Sequence, residues 1–153
     1  MQVTKNPDPA EQRADTVWMD VPASNSFLPV IEACVSELAA ALTQDSDAAV
    51  TAYNMRLAVH EACTNIVDHG YGDLPDARIR VIVRVQSDPQ RLVVELRDSA
   101  APFDPDTVPG PDLDQPREHG YGLFLIRSLV DDFTSWREPE GNCWRLTKLL
   151  SAG

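Results

Sequence analysis

Residues 77–98 constrain the fold most strongly, because they predict two antiparallel strands joined by a short turn. In "ARIRVIVRV", branched apolar residues alternate with arginines, which is the period-2 pattern of a strand with one buried face. The inward positions are Ile79, Val81, Val83 and Val85, and the outward positions are Arg78, Arg80 and Arg84. "SDPQ" has the composition of a turn, and "RLVVELRD" follows as the returning strand. The hairpin predicts an antiparallel sheet.

A further strand and two helical segments come before this hairpin. "TVWMDV" alternates and is typical of an edge strand. "SNSFLPVIEACVSELAAAL" carries apolar residues at helical spacing, and we expect Ser24, Asn25 or Ser26 to cap that helix. A second helix is predicted from about Ala48 to His69. Helices that occur in a pair between strands favour one helical layer over one sheet.

After the hairpin, a long irregular segment precedes a third helix and a second hairpin. Residues 99–120 are rich in Pro, Asp and Gly, and a loop of this length is usually functional or disordered. "YGLFLIRSLVDDF" predicts the third helix. Its apolar side consists of Leu123, Ile126, Val130 and Phe133. "FTSWRE" and "CWRLTKLL", joined by the turn "PEGN", predict the closing hairpin.

The order of these elements predicts an α+β fold. We expect a two-layer sandwich in which a mixed but mostly antiparallel sheet is covered on one face by about three helices. Residues 1–15 are expected to form a flexible tail, and residues 16–153 a single domain. The chain has no GxxxxGK[ST] motif and no GxGxxG between a strand and a helix, so a doubly wound nucleotide-binding fold is not expected.

Charge and cysteine usage narrow the functional classes. The net charge of -11 argues against direct nucleic-acid binding, although backbone amides and a metal ion can still hold a nucleotide. No apolar run approaches the roughly 20 residues that span a bilayer, and the N-terminus has no apolar signal core. Cys34, Cys63 and Cys143 form no CxxC pair, so buried free thiols in a reducing cytoplasm are expected.

The segment "HEACTNIVDHGYG" combines core residues with a polar stripe. On a helical wheel its apolar residues form a continuous arc. This arc consists of Met55, Ala58, Val59, Ala62, Cys63 and Ile66. Glu61, Asn65 and His69 recur every fourth residue along one border of the arc, at the margin of the core. A partly buried acid at such a margin requires a partner or a task.

Several readings of this helix are open from its residues alone. Glu61 and Asn65 could simply cap or bridge neighbouring elements, and the helix alone does not distinguish this role from a catalytic one. A metalloprotease HExxH motif is excluded, because the position that requires the second histidine is Thr64. His60 and His69 are poor candidates for metal ligands, since no third ligand follows at a suitable spacing.

Two further segments favour a phosphate-binding site. "RDSAAPFDP" places Asp98 at the end of a predicted strand, followed by small residues. "GYGLFLI" places Gly120 and Gly122 at the start of the third helix. Glycine there allows the backbone to approach a ligand, and the first turn of a helix offers free N–H groups and a positive dipole end.

Taken together, in this order and spacing, the three segments resemble the GHKL ATPase superfamily. Within it they are similar to the anti-sigma factor serine-protein kinases of the SpoIIAB/RsbW type. "HEACTNIVDHGY" looks like the N box of that family, "DSAAPFDP" like its first glycine box and "GYGLFLI" like its second. The resemblance covers roughly residues 17–150 and implies the Bergerat ATP-binding fold.

The resemblance implies a role for each matching residue. Glu61 would be the general base that takes a proton from a serine hydroxyl of a protein substrate. Asn65 would coordinate the Mg²⁺ that bridges the phosphates of ATP. Asp98 would accept a hydrogen bond from the adenine amino group, and Gly120 and Gly122 would line the phosphates. The other positions implied to line the ATP site are Asp68, His69, Ala100, Phe103, Arg117, Tyr121 and Leu123.

The predicted lid and two departures from the family pattern bear on this site. Residues 104–119 would close over the phosphates, and Arg117 is either a ligand of ATP or substrate, or a solvated side chain. Ala100 stands where the family has a glycine, and its methyl group is small enough to be tolerated. His119 precedes Gly120 where another glycine is common, so the hinge of the lid is expected to be stiffer.

The function implied is that of an anti-sigma factor kinase in a partner-switching system. It would use Mg-ATP to phosphorylate a serine of a STAS-domain anti-sigma factor antagonist, and it would sequester a sigma factor or another regulator. A homodimer is possible, and neither nucleic acid nor membrane is an expected partner. The alternative is a nucleotide-dependent sequestering module without kinase activity, in which Glu61 is incidental. A plain ATPase is less expected, because no second moving domain is apparent.

Overall fold

The computed structural model describes residues 15–43, 47–71, 76–87, 89–105 and 121–150, with the side chains of residues 69–71 excepted. Within these ranges the chain forms five strands, three α-helices and one π-helix. The elements are β1 (Thr16–Pro22), α1 (Leu28–Leu42), α2 (Ala48–Asn65), the π-helix (Ile66–Tyr71), β2 (Arg78–Gln86), β3 (Arg91–Asp98), α3 (Tyr121–Leu129), β4 (Asp132–Glu138) and β5 (Gly141–Leu149). Residues 1–14 of the predicted tail lie outside the described residues.

The described strands form one sheet in the order β1-β2-β3-β5-β4. Every neighbouring pair in this order is antiparallel, so the sheet contains no parallel pair among the described strands. The predicted hairpins β2–β3 and β4–β5 and the predicted edge strand β1 are all confirmed. Because β5 pairs with β3, the first residues of β5 lie beside the last residues of β3, and Asn142 is opposite Asp98.

The hydrophobic core lies between one face of the sheet and the helices. Ile79, Val81 and Val83 are fully buried and pack in one cluster with residues of all three helices, whereas Val85 is only partly buried against it. The predicted two-layer α+β fold is therefore confirmed. Each α-helix contributes one apolar side to this core, as expected for helices that cover a sheet. Among the described helices, none is both long and apolar enough to cross a membrane.

Two predicted helix ends are wrong. The first residue of α1 is Leu28, and Phe27 is its N-cap residue without any side-chain hydrogen bond, so the predicted serine or asparagine cap does not form. Ser24 instead uses its hydroxyl oxygen to accept from the Ser26 amide, within the turn before the helix. The predicted third helix is too long at its C-terminal end: α3 stops at Leu129, and Phe133 belongs to β4. Phe133 packs against the hydrophobic core from β4, so its apolar character alone could not distinguish a helical position from a strand position.

The three thiols are free, as predicted. Cys63 and Cys143 are buried and Cys34 is partly exposed. Burial raises the pKa of Cys34 and of Cys63, and it raises the pKa of Cys143 to about 11. All three therefore remain protonated, weakly nucleophilic thiols near neutral pH.

A buried carboxylate lies on the sheet face opposite the core. Glu95 of β3 is 1% exposed. It accepts hydrogen bonds from the guanidinium groups of Arg84, Arg97 and Arg145, at 2.8–3.2 Å. Burial opposes ionisation of this carboxyl, but the hydrogen bond from Arg145 and the charges of the three arginines outweigh burial and lower its pKa. The group is therefore a charged link between β2, β3 and β5.

We expect Glu95→Gln to lower the free energy of unfolding by about 3 kcal/mol near pH 7, because it leaves three partly exposed arginines without the buried counter-charge that holds them together. Since the folded pKa of Glu95 is lowered, its stabilisation is present above the ordinary glutamate pKa of about 4.3 and is lost as the pH falls through the folded pKa. Urea unfolding at neutral and acid pH should show the gap between wild type and variant narrowing in acid. If wild type and Glu95→Gln differed in stability by the same amount at both pH values, the stabilisation by Glu95 would not be ionic. Glu37→Gln, on the exposed side of α1, is the matched control.

Candidate active site

Two of the predicted segments meet where the start of α3 packs against the last turns of α2. A Cβ atom added at Gly122 would lie 3.1 Å from Oε2 of Glu61 and 3.2 Å from Nδ2 of Asn65. The acid, the amide and the glycine therefore surround one small space. A methyl group at position 122 would crowd both side chains, so glycine is the residue that fits this close packing without a shift of its neighbours.

Helix α2 holds Glu61 and Asn65 at the margin of the core. The predicted apolar arc of this helix is buried throughout, with every residue at most 2% exposed. Glu61 and Asn65 are each partly buried beside it, one helical turn apart. After Asn65 the backbone winds as the π-helix Ile66–Tyr71, so the α-helical spacing that linked Asn65 to His69 does not continue. Asp68, on the same π-helix, is exposed.

The other polar side chains of α2 tie it to α1. Glu32 of α1 is buried, and the imidazole Nδ1 of His60 is hydrogen-bonded to its carboxylate. The guanidinium Nε of Arg56 lies 3.8 Å from the same carboxylate. His60 thus joins two helices. Both contacts link the helix that carries Glu61 and Asn65 to α1.

The carboxylate of Asp98 is buried at the end of β3 and held by three neutral donors. Its Oδ1 accepts from the backbone N–H of Ala100 and from Nδ2 of Asn142, each at 2.9 Å. Its Oδ2 accepts from the indole Nε1 of Trp144 at 3.2 Å. Donors on a following loop and on the neighbouring strand fix the orientation of this carboxylate, which is a requirement for reading a ligand by a directed hydrogen bond.

Aromatic side chains pack together next to Asp98, around the indole of Trp144. Phe103 stacks on Trp144 with 5.2 Å between ring centroids and 10° between ring planes. Phe133 of β4 also packs against the Trp144 ring, with 5.8 Å between centroids and a tilt of 36°. The backbone N–H of Phe103 donates to Oδ1 of Asn142 at 3.2 Å. The segment that follows Asp98 is therefore folded back against β5.

Trp144 and Asn142 belong to the site, although sequence reasoning missed them. The signal that could have found them is the turn "PEGN" followed directly by an alternating strand. That signal places both residues at the start of a strand but does not say which strand lies next to it. Their contact with Asp98 depends on the pairing of β5 with β3, which joins residues 44 positions apart.

The remaining predicted residues fall into two groups. Ala100, which stands where the family pattern has glycine, is buried. Leu123 is buried in the core, and Tyr121 is the partly buried first residue of α3. Arg117, His119, Gly120 and residues 106–118 of the predicted lid lie outside the described residues. The chemical roles of all these residues remain predictions.

The chain is similar to known ATPase domains and to serine-protein kinases. The family model described as "Histidine kinase-like ATPase domain" matches residues 23–148. The serine-protein kinase RsbW of Halalkalibacterium halodurans is 34% identical over 145 residues, a match that covers 89% of this chain and 84% of that protein. RsbW of Bacillus subtilis is 30% identical over 130 residues, which is 80% of this chain and 78% of that protein.

A solved structure shows the same fold. The crystal structure of the RsbU and RsbW domains of Rv1364c from Mycobacterium tuberculosis superposes with a TM-score of 0.62 at 19% identity. That match covers 90% of this chain and 33% of that chain, so it supports the architecture alone. The family match extends over most of the chain and includes all the described site residues. The chain therefore belongs to the histidine kinase-like ATPase domain family, and within it to the RsbW-type serine-protein kinases.

Proposed function

We propose that this protein is an anti-sigma factor kinase of a partner-switching system. It transfers the γ-phosphoryl group of Mg-ATP to a serine of a STAS-domain anti-sigma factor antagonist, and it sequesters a sigma factor or an analogous regulator. One observation supports this function above the others: the side chains of Glu61 and Asn65 both lie against Gly122, at the start of α3. Membership in the RsbW-type group makes the chain a protein-serine kinase, and its ATPase domain implies ATP binding.

The described residues supply separate places for the two ends of ATP. The buried Asp98 and the stacked pair Phe103–Trp144 form the end suited to a base, since a carboxylate accepts from an amino group and rings pack on apolar surface. Gly122 and the first turn of α3 form the end suited to phosphates. The nucleotide would therefore lie with its base at the end of β3 and its phosphates towards α2.

The donor set at Gly122 fits a magnesium ion bound to the phosphates. Asn65 offers an amide oxygen, which suits a hard cation that takes few protein ligands and several phosphate or water oxygens. Gly122 lies against the same amide, since a Cβ there would be 3.5 Å from Oδ1 of Asn65. When bound, Mg²⁺ neutralises charge on the transferring phosphoryl group.

Glu61 is positioned to move the proton of the reaction. In the proposed step the serine hydroxyl oxygen of the antagonist forms a bond to the γ-phosphorus, and the bond from that phosphorus to the β,γ-bridging oxygen breaks. The hydroxyl proton passes to a carboxylate oxygen of Glu61, and ADP leaves with the electron pair. A base one helical turn from Asn65 is held in a constant relation to the phosphate end.

The test is a reaction of purified protein, Mg-ATP and candidate STAS-domain proteins, analysed by intact mass. We expect a gain of one phosphate on a serine of one partner, together with ATP-dependent thermal stabilisation of the kinase. ATP binding without transfer to any candidate would instead favour the sequestering module. Absence of ATP binding would contradict the proposal as a whole. We further propose that the protein is cytoplasmic and that it forms a homodimer. Size-exclusion chromatography of the purified protein tests whether the homodimer forms.

Gly122→Ala tests the crowded space directly. We expect the variant to fold with an unfolding free energy within about 1 kcal/mol of wild type, because the atoms it meets are side-chain ends that can shift. Its kcat/KM for phosphate transfer should fall by roughly tenfold or more, since Glu61 and Asn65 must both move. Initial rates and thermal melting measure the two effects. Ser128→Ala, at an exposed position of the same helix, is the control, and an unchanged rate in folded Gly122→Ala would contradict the proposed site.

A further inference from the structure

Asn142 lies at the centre of the hydrogen bonds that hold the base end of the site. It is 5% exposed and is the second residue of β5. Its Nδ2 donates to Oδ1 of Asp98 and to the carbonyl of Ala101, each at 2.9 Å. Its Oδ1 accepts from the backbone N–H of Phe103 at 3.2 Å and from Nη1 of Arg137 at 3.3 Å. Every hydrogen-bonding position of the amide is used.

The partners of Asn142 allow only one orientation of its amide group. The nitrogen faces two oxygens, and the oxygen faces two N–H donors, so an exchange of the two atoms would oppose like with like at all four contacts. Arg137 reinforces the arrangement, because the same Nη1 donates to the carbonyl of Ala100 at 2.7 Å. Residues 100–103 are thus tied to β5 by backbone and side-chain contacts together.

The hydrogen bonds to Asp98 leave room for one more donor. The two oxygens of a carboxylate offer about four acceptor positions. Ala100 and Asn142 occupy both positions on Oδ1, and Trp144 occupies one on Oδ2. Within the part of the chain that the structure describes, no further donor to Oδ2 is seen, so one acceptor position is left there in a buried environment, where an additional donor contributes most and an opposing acceptor is most unfavourable.

We propose that Asn142 is a positioning residue for nucleotide selection, which acts by holding the Asp98 carboxylate so that its one remaining acceptor position receives a base amino group. The inference rests on the proposed ATP site. Asn142 itself does not contact the nucleotide in this scheme. Its loss leaves Oδ2 of Asp98 bound to Trp144 but removes the donor that links Oδ1 to β5, so the carboxylate can turn and the preference for a base with an amino group over a base with a carbonyl at the same ring position is weakened.

Asn142→Asp is the sharpest variant, because it keeps the size and shape of the side chain. An oxygen replaces the nitrogen that faces Asp98 and Ala101, so two donated hydrogen bonds become repulsive contacts. Arg137→Gln is a second, milder variant at an exposed position, and it weakens the same arrangement from β4. Arg78→Gln, on β2 and likewise exposed, removes an arginine outside the network and serves as the matched control.

The measurement is the Kd for ATP and for inosine triphosphate, in which a carbonyl oxygen replaces the amino group of adenine, by calorimetry with each folded variant. We expect wild type and Arg78→Gln to prefer ATP. In Asn142→Asp the Kd for ATP should rise by roughly tenfold or more, whereas the Kd for inosine triphosphate should change by less than about threefold. Arg137→Gln should change the ratio in the same direction by a smaller factor.

The outcomes separate the inference from the proposed function. Equal weakening of both nucleotides in Asn142→Asp and Arg137→Gln would indicate a purely structural role and overturn the inference while ATP binding stands. A wild type that binds both nucleotides equally would also overturn it, because Asp98 would then not select the amino group. A wild type that binds neither would overturn the proposed function and the inference together. If Asn142→Asp does not fold, the ratio in Arg137→Gln decides between these outcomes.

Discussion

Glu61→Gln is expected to lower the rate of phosphate transfer to the partner serine by roughly 10²- to 10⁴-fold, the contribution typical of a general base. Glutamine has nearly the size of glutamate and can keep the contacts at Gly122, but its amide cannot take up a proton at neutral pH. ATP binding should persist, because the base end of the site at Asp98 is built from other elements. The loss should therefore be in kcat, with little change in the Kd for ATP.

Single-turnover transfer with radiolabelled ATP measures the rate, and calorimetry with ATP measures binding. Glu37→Gln makes the same chemical change at an exposed position of α1 and should leave both quantities unchanged. Transfer at the wild-type rate by Glu61→Gln would exclude Glu61 as the base. It would leave Glu61 as a structural neighbour of Gly122, which is the other reading that the helix alone permits.

Gly141→Ala is expected to have the largest effect on stability. A Cβ at this position would lie 1.6 Å from the carbonyl oxygen of Asp98 and 2.8 Å from Cα of Ser99, so the start of β5 must separate from the end of β3. Gly141 also has a φ of +157°, at the limit of the region that residues with a side chain rarely adopt. We expect the free energy of unfolding to fall by about 3 kcal/mol or more, because the obstacle is backbone and cannot rotate away.

The same change should weaken ATP binding in whatever fraction stays folded, since it displaces Asp98 from Asn142 and Trp144. Urea unfolding gives the stability, and thermal shift with ATP gives the binding. Glu140→Ala, one residue earlier in the exposed turn, is the matched control and should be close to neutral. A variant as stable as wild type would show that β3 and β5 do not pack as closely as described.

The contrast between Gly122 and Gly141 shows how tertiary contacts distinguish residues that look alike in sequence. Gly122 is the second residue of α3, and Gly141 is the first residue of β5. The sequence predicted that Gly122 lets the backbone approach a ligand and that Gly141 belongs to an ordinary turn. In the structure, Gly122 faces flexible side-chain ends, whereas Gly141 faces the backbone of another strand. The expected consequences are therefore opposite: lost activity for Gly122→Ala and lost stability for Gly141→Ala.

Local periodicity was enough to predict the sheet hairpins, the helical layer and the position of Glu61 and Asn65. These features depend on neighbours within a few positions: two residues for a strand face and four for a helix face. The same reasoning failed at Phe133, because an apolar residue near the end of a helical pattern also fits the first inward position of a strand. Hydrogen bonding with β5, opposite Leu146, decided that it belongs to the sheet.

The amino-acid sequence alone was informative about the strands, the helices and the residues at the margin of the α2 core, because backbone geometry sets which residues of an element share one face. The folded molecule was needed to see three sets of contacts: those of Asn142 and Trp144 with Asp98, that of Gly141 with the Asp98 backbone, and those of Gly122 with Glu61 and Asn65. Each of these contacts joins segments far apart in the chain. The register of β3 with β5 and the packing of α3 on α2 bring them together, because one common core must be filled at once from both layers.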